Sequence, residues 1–295
     1  MVATEAGSRY IVHRTFRDCR TAVPNTHLMA SPMNPFQLIP IGTSPAWYNP
    51  GEPNSGFLLE AGDSRILVDC GSGVIARYLA LFGAKQPIDA VVITHVHADH
   101  CLDLVPLKYG ISLGTLDWQP QLWLPPGARR RLDRLVSTWD GGGDFFEDAF
   151  EVREYDPGEA FRVGAFDCSS IEVPHYVESF ALRFEHEGSS FGYTADLGPN
   201  EQIIPFMQGV DVLLAEAALP EDADLSAPDR GHITASEAGQ IAASAAAHSL
   251  LLTHVPIENG FDAALTAARS KFVGPTRLAT SGECYPVAQR LAVVR

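Results

Sequence analysis

Basic charge is scarce in this chain. Lys and Arg number 21 against 36 Asp and Glu, for a formal net charge of −15. A protein that tracks nucleic-acid phosphates needs a basic footprint, so the balance disfavours nucleic acid as a partner. The one basic cluster, Arg129, Arg130, Arg131 and Arg134, reads as a solvated helix face, because three consecutive side chains point in different directions around a helix. Cysteine is also sparse. Cys19, Cys70, Cys101, Cys168 and Cys284 form no CxxC pair, and their odd count and spread favour reduced thiols and a cytoplasmic protein over a disulfide framework. No apolar run approaches the ~20 residues that span a bilayer. Residues 1–31 lack an apolar segment of the secretory type, so no signal peptide is expected. What remains is an ordinary globular composition, 46% hydrophobic and 19% charged over 295 residues, enough for a sizeable core.

Residues 1–35 show no clear period and read as an extension ahead of a folded part spanning 36–295. Phe36–Ile41 is a short apolar strand. Phe57–Glu60 and Arg65–Asp69 form a hairpin across Ala61-Gly62-Asp63-Ser64. Gly71-Ser72-Gly73 opens a helix whose Val74, Tyr78, Leu81 and Phe82 recur at helical spacing. Asp89–Thr94 is an unbroken apolar, β-branched run and reads as a buried strand. Cys101–Leu107 starts a helix. Gln121–Leu124 is another strand, followed by the arginine-bearing helix. Gly141-Gly142-Gly143 marks a mobile break or the seam between two halves. Strands then dominate: Ala160–Val163, Phe166–Val173, Phe180–Glu185, Ser190–Ala195 and Asp211–Ala215. Thr234 and Glu237 have capping-box spacing ahead of a helix. Ser249–Thr253 is a buried strand, a helix covers Asp262–Phe272, and a last strand lies near Arg277–Thr280. Strands with a helix, said twice, predict an α/β sandwich of two face-to-face mixed sheets with helices outside.

The chemistry concentrates at Thr94-His95-Val96-His97-Ala98-Asp99-His100, on a turn from strand to helix. In an open sheet, ligands bind at that carboxyl edge. His95 and His97 can project into one site from an extended turn, and Asp99 and His100, one step later, can face a second metal. Three more candidates stand at strand ends: His175 after Val173-Pro174, Asp196 after Thr194-Ala195, and His254 after Thr253. Five imidazoles and two carboxylates suit zinc best, with manganese or iron as alternatives. Two divalent metal ions ~3.5–4 Å apart can activate water and clamp a substrate's oxygens.

His95-x-His97-x-Asp99-His100, followed by His175, Asp196 and His254, resembles the metallo-β-lactamase fold of the hydrolase type, from about Phe36 to the C-terminus. The resemblance implies one metal on His95, His97, His175 and Asp196. It implies a second on Asp99, His100, Asp196 and His254, with Asp196 bridging. Asp99 thereby acquires a catalytic role through the second metal. Asp69 matches the family's first motif, which supports the ligand turn and binds no metal. Ala215-Glu216-Ala217-Ala218 and Arg230-Gly231-His232-Ile233-Thr234 resemble the phosphodiesterase branch that includes the transfer-RNA 3′-processing enzymes. The resemblance assigns proton donation to the leaving oxygen to His232 and the holding of its ring to Glu216. Glu237 is assigned to the capping box alone.

One departure narrows the class. The transfer-RNA enzymes carry a long basic arm between the third and fourth metal motifs, whereas His175 and Asp196 are 21 positions apart here, room for one hairpin. The chain is nearer to armless relatives. These include bacterial cyclic-nucleotide phosphodiesterases of this fold, whose Ala-Asp-His-Cys-Leu-Asp-Leu and Leu-Leu-Thr-His segments it nearly repeats, and cyclic-phosphate phosphodiesterases of phosphonate breakdown. The expectation is a dinuclear phosphodiesterase acting on a small diester, with a cyclic nucleotide favoured. The alternative is a metal-dependent lactonase or carboxylic ester hydrolase, with the transfer-RNA endonuclease ranked last. The partner is then a small molecule, with neither membrane nor nucleic acid, and relatives of this kind often form homodimers.

Overall fold

A computed structural model describes residues 35–140, 143–224, 226 and 230–288. The expected N-terminal extension therefore lies outside the described residues up to residue 34, as do Gly141 and Gly142 of the expected break. In chain order the elements are β1 (Gln37–Gly42), β2 (Gly56–Ala61), β3 (Ser64–Val68), α1 (Val74–Phe82), β4 (Ala90–Val92), α2 (Ala98–Cys101), α3 (Leu104–Ser112), β5 (Gln121–Leu124), α4 (Ala128–Asp140) and β6 (Glu151–Glu154). There follow β7 (Phe161–Val163), β8 (Phe166–Val173), β9 (Ser179–His186), β10 (Ser189–Tyr193), α5 (Ile203–Phe206), β11 (Val212–Glu216), α6 (Ala235–Ser244), β12 (Leu250–Thr253), α7 (Phe261–Arg269), β13 (Thr276–Leu278) and β14 (Tyr285–Pro286). None of the helices among the described residues is long and apolar enough to cross a membrane.

The strands form two seven-stranded sheets, ordered β14-β1-β2-β3-β4-β5-β6 and β13-β12-β11-β10-β9-β8-β7. Each mixes antiparallel hairpins with a parallel run, β3 to β6 in the first and β10 to β13 in the second. The period-two alternation of side chains explains why so many strands read as continuous apolar runs. In β2 and β3, Phe57, Leu59, Ala61, Ile66 and Val68 enter the core between the sheets, while Leu58 and Leu67 enter a second core with α1 and α3. In β11, Val212 and Leu214 face the other sheet, while Leu213 and Ala215 pack with α6 and α7. Three stacked cores separate four layers, the expected sandwich.

Four details differ from the expectation. The strand ends at Val92 rather than Thr94, because the Thr94 backbone N–H leaves the ladder and donates to Asp69 Oδ1 at 2.8 Å. The helix after the histidine turn breaks at Asp103, whose N–H donates to the Cys70 carbonyl (3.0 Å) and whose carboxylate accepts from Ile75 N (2.9 Å). Those bonds tie the turn to the start of α1. The short strands β6 and β14 were not expected. In β6, Glu151, Arg153 and Glu154 are exposed, so it carries a charged edge instead of an apolar run. The chain passes from the first sheet to the second between β6 and β7, after Glu154, and not at the Gly141–Gly143 break.

The arginines of α4 lie on its surface. Arg129 pairs with Glu147 and Arg131 with Glu178, so the cluster is a solvated, partly neutralised face. The capping box of α6 is complete: Thr234 Oγ1 accepts from Glu237 N, and Glu237 Oε2 accepts from Thr234 N. Phe57 is fully buried with its ring centroid 5.0 Å from that of Tyr193 on the opposite sheet. Phe57→Ala should cost about 3–5 kcal/mol of stability, read as a lower urea midpoint at constant slope. A loss below about 1 kcal/mol would be too small for a side chain that joins the two sheets.

Candidate metal centre and active site

The candidate residues stand at the carboxyl ends of strands, except His232, which lies in the loop before α6. Asp69 follows β3, the 95–100 turn follows β4, and His175 follows β8. Asp196 follows β10, Glu216 ends β11, and His254 follows β12. Three of these bends take a positive φ without glycine: Asp69 (60°), Ala195 (54°) and His254 (57°). Such conformations are unfavourable for ordinary side chains and persist where the surroundings fix them. Gly71 permits another close approach, since a Cβ there would fall 1.9 Å from the Asp99 carbonyl oxygen.

Asp196 is the hub. Its Oδ2 lies 3.3 Å from His100 Nε2, 3.4 Å from His254 Nε2, 3.9 Å from His95 Nε2 and 4.0 Å from His175 Nε2. Asp99 Oδ2 lies 3.2 Å from His254 Nε2 and 3.4 Å from His100 Nε2. His97 Nδ1 is 3.0 Å from His175 Nε2. Among the described residues four overlapping groups could hold a metal: His95, His97 and His175; Asp99, His100, Asp196 and His254; and two that include His232, with His175 and Asp196 or with Glu216 and His254.

Neighbouring groups set which nitrogen of each ring is free. His175 Nδ1 donates to the Gly231 carbonyl at 2.7 Å. A carbonyl only accepts, so Nε2 carries the lone pair. His100 Nδ1 faces Asp69 Oδ2 at 2.8 Å, and His95 Nδ1 faces Thr94 Oγ1 at 3.0 Å, with Thr94 in turn donating to Asp69. In each case Nε2 is turned toward Asp196. His95 Nε2, His100 Nε2 and Asp196 Oδ1 are buried without hydrogen-bond partners. Buried orphan polar atoms converging on one point require an explanation. Divalent cations satisfy all of them, and the imidazole–carboxylate donor set fits.

Electrostatics agrees with that use at five of the seven ligands, and His100 is the exception, its three carboxylate neighbours favouring a positive charge there. Burial lowers the pKa of His95, His97 and His175, keeping them neutral. Burial would raise Asp99 and Asp196, but the surrounding histidines hold both well below the usual carboxylate range. For His100, burial is outweighed by Asp196, Asp69 and Asp99, which raise it. Neutral imidazoles and ionised carboxylates are the forms that bind metal.

His232 stands beside this cluster. Its ring centroid is 4.9 Å from that of His175 and 5.7 Å from that of His254. His232 Nδ1 lies 2.9 Å from Glu216 Oε1. Glu216 is itself fixed, accepting from Leu197 N (2.9 Å) and Ala218 N (3.0 Å). Burial opposes a charge on His232, but Glu216 raises its pKa to about 9. Sequence reasoning did not find Thr94, the Gly231 carbonyl or Arg230. Arg230 Nη1 donates to the His232 carbonyl (3.1 Å) and to Glu237 Oε2 (2.8 Å). Glu237 therefore does more than cap α6, since it also holds the arginine that pins the Gly231–His232 backbone. The adjacency Arg230-Gly231-His232 was the available signal, but spacing alone does not show where an arginine turns.

Residues 64–255 match the family described as the beta-lactamase superfamily domain. The chain belongs to that superfamily. Its αββα sandwich is the metallo-β-lactamase fold. Within the superfamily it is 33% identical over 254 residues to an uncharacterized protein of Mycobacterium leprae, covering 84% of this chain and 87% of that one. It is 31% identical over 232 residues to the probable metallo-hydrolase YhfI of Bacillus subtilis, covering 78% and 91%. The crystal structure of YhfI superposes with a TM-score of 0.76 at 28% identity over 85% of this chain and 99% of that one. A ribonuclease Z of Myxococcus xanthus is 25% identical over 302 residues, covering 85% and 97%.

Protein of this superfamily member prepared without chelator should carry two divalent ions per chain by elemental analysis. Fewer than one would contradict the convergence on Asp196. His97→Ala should lower the content, because no neighbour replaces that nitrogen. Asp69→Asn should weaken retention about 10–100-fold by loosening His100.

Proposed function

We propose that this chain is a metal-dependent phosphodiesterase that hydrolyses a small phosphodiester, with a cyclic nucleotide as the favoured substrate. The His232–Glu216 pair beside the ligand cluster carries the reading. Two divalent ions on His95, His97, His175, Asp196, Asp99, His100 and His254 would supply Lewis acidity toward the phosphoryl oxygens and activate water. The chain's own residues do the rest. Asp69, Thr94 and the Gly231 carbonyl fix the ring orientations that the ions need. Glu216 accepts from His232 Nδ1–H and keeps the imidazolium charged, leaving Nε2–H to face the substrate. A proton passed from Nε2 to the departing alkoxide oxygen neutralises the charge that makes alkoxides poor leaving groups.

A carboxylic ester or lactone hydrolase, the second reading, would use the same ligand cluster but has less need of a second imidazole held cationic at its edge. The relatives include a ribonuclease Z, whose substrate class is also a phosphodiester. Transfer-RNA precursors are nonetheless disfavoured. The stretch between His175 and Asp196 is filled by the β9–β10 hairpin, with no arm, and the chain carries a net charge of −15.

His232→Ala should leave metal content unchanged and cut turnover about 10²–10⁴-fold for a diester with a poor alkoxide leaving group. The loss should shrink sharply for a p-nitrophenolate ester, which departs without a proton. Equal losses on both would remove the acid role. Glu216→Gln should show a weaker version of the same pattern, and Asp99→Ala should harm both substrates. Cleavage of a precursor transfer RNA at its 3′ end should be weak or absent. Efficient, salt-sensitive cleavage there would overturn the small-substrate reading.

A further inference from the structure

An aromatic ring lies uncovered against the reacting residues. Tyr176 is 63% exposed, yet its ring centroid is 5.1 Å from that of His175 and 5.7 Å from that of His232. The backbone is shaped to admit it. A Cβ on Gly231 would fall 2.9 Å from His175 Nδ1, 2.9 Å from Tyr176 Cε2 and 3.0 Å from Cδ2, so glycine here leaves room for both rings beside the loop that presents His232. On the side of His254, Trp47 and Tyr48 are 53% and 57% exposed. Their loop is tied to the His254 segment. His254 N donates to the Thr43 carbonyl (3.1 Å), Asn49 Nδ2 donates to the Val255 carbonyl (2.9 Å), and Asn49 Oδ1 accepts from Ile257 N (2.9 Å). Asn49 is itself buried. The Tyr176 ring is thus set against the cluster and left open, while the loop carrying the exposed Trp47 and Tyr48 is anchored beside His254.

We propose that Tyr176 stacks on the nucleobase of a nucleoside phosphodiester whose phosphate sits at the metal cluster, so that the substrate class is a mononucleotide-sized diester bearing a base. The inference rests on the phosphodiesterase reading and deepens it. An open tyrosine face binds a flat π-system of any base. The position of the ring, touching both a ligand histidine and the proposed acid, places such a base one group away from the scissile phosphate. The chain's −15 charge disfavours a longer polyanion, for which more cations would be needed along the path. Trp47 and Tyr48 are available to the ester's other substituent, on the His254 flank.

The deciding comparison uses two esters with one leaving group: thymidine 5′-(p-nitrophenyl) phosphate and methyl p-nitrophenyl phosphate. Base stacking is worth about 1–3 kcal/mol, so Tyr176→Ala should lower the ratio of the two kcat/KM values by about 5- to 100-fold, chiefly through KM on the thymidine ester. Tyr176→Phe and Tyr176→Trp should keep the ratio within about threefold, since both retain a stacking face. An equal loss on both esters would show that the ring only props His175 and His232, and would overturn the proposal. Binding is read separately by quenching of 2-aminopurine ribonucleoside 5′-monophosphate fluorescence. Wild type and Tyr176→Trp should quench, and Tyr176→Ala should not. Quenching that survives Tyr176→Ala, or is absent from the wild type, overturns the subsite. Failure to hydrolyse either ester while Tyr176-dependent quenching persists would overturn the phosphodiesterase reading and leave the base subsite standing.

Discussion

Everything near the active site is arranged around one buried carboxylate. Asp196 Oδ2 stands within 4.0 Å of four imidazole nitrogens carried by three separate segments. Its residue is 1% exposed. Burying ionised carboxylates among imidazoles is unfavourable unless their charge is met at close range. A divalent cation held by Asp196 and these rings would meet it. The fold supplies the rings from both sheets, so the centre also joins the carboxyl edges of the two halves. The left-handed bend at Ala195 (54°) and the bond from Ser179 Oγ to the Asp196 carbonyl at 2.9 Å hold the aspartate where the chain would not otherwise place it.

The second layer follows from the first. An imidazole is best held with its lone pair inward when its other nitrogen is given an acceptor, which three of the ligand rings have and His254 Nδ1 lacks. Asp69 serves His100 directly and His95 through Thr94, so one carboxylate from β3 sets two rings on the neighbouring strand's turn. The Gly231 carbonyl serves His175. That carbonyl adjoins His232, whose own carbonyl accepts from Arg230, and Arg230 in turn donates to Glu237 on α6. The metal ligand and the proposed proton donor are therefore positioned by consecutive residues of one strap, and the helix cap doubles as its anchor.

Much of this was legible in the sequence, for identifiable reasons. The sandwich showed because doubly buried strands are nearly all apolar, as in Gly56–Ala61, where only the buried Glu60 is charged and pairs with Arg65, and Leu250–Thr253, where only Thr253 is polar. The seven ligand candidates showed because they follow such runs directly. What stayed hidden has no local signature. The β6 strand is three-quarters exposed and charged, and pairs only at the edge of its sheet. The break at Asp103 is made by bonds to Cys70 and Ile75, about 30 residues earlier in the chain. A carbonyl such as that of Gly231 has no side chain to be recognised by. Arg230 reads as any loop cation until the helix start brings Glu237 beside it.

Exposure separates four of the ligand histidines from His232; the fifth, His97, is only partly buried, as His232 is. The side chains of His95, His100 and His175 are 0% accessible and that of His254 is 2%, as suits ligands that must not exchange protons with water. The His232 side chain is 20% accessible, while its partner Glu216 is fully enclosed. A buried carboxylate that solvent cannot screen keeps its full pull on the imidazolium. A ring edge left partly open can meet a substrate oxygen and recover a proton from water after each turnover. A structural histidine would need only the first arrangement, and a ligand would need neither. Charge held from behind and access kept in front together are what the proposed general acid requires, and the Glu216 contact with the partly open ring of His232 fits that proposal.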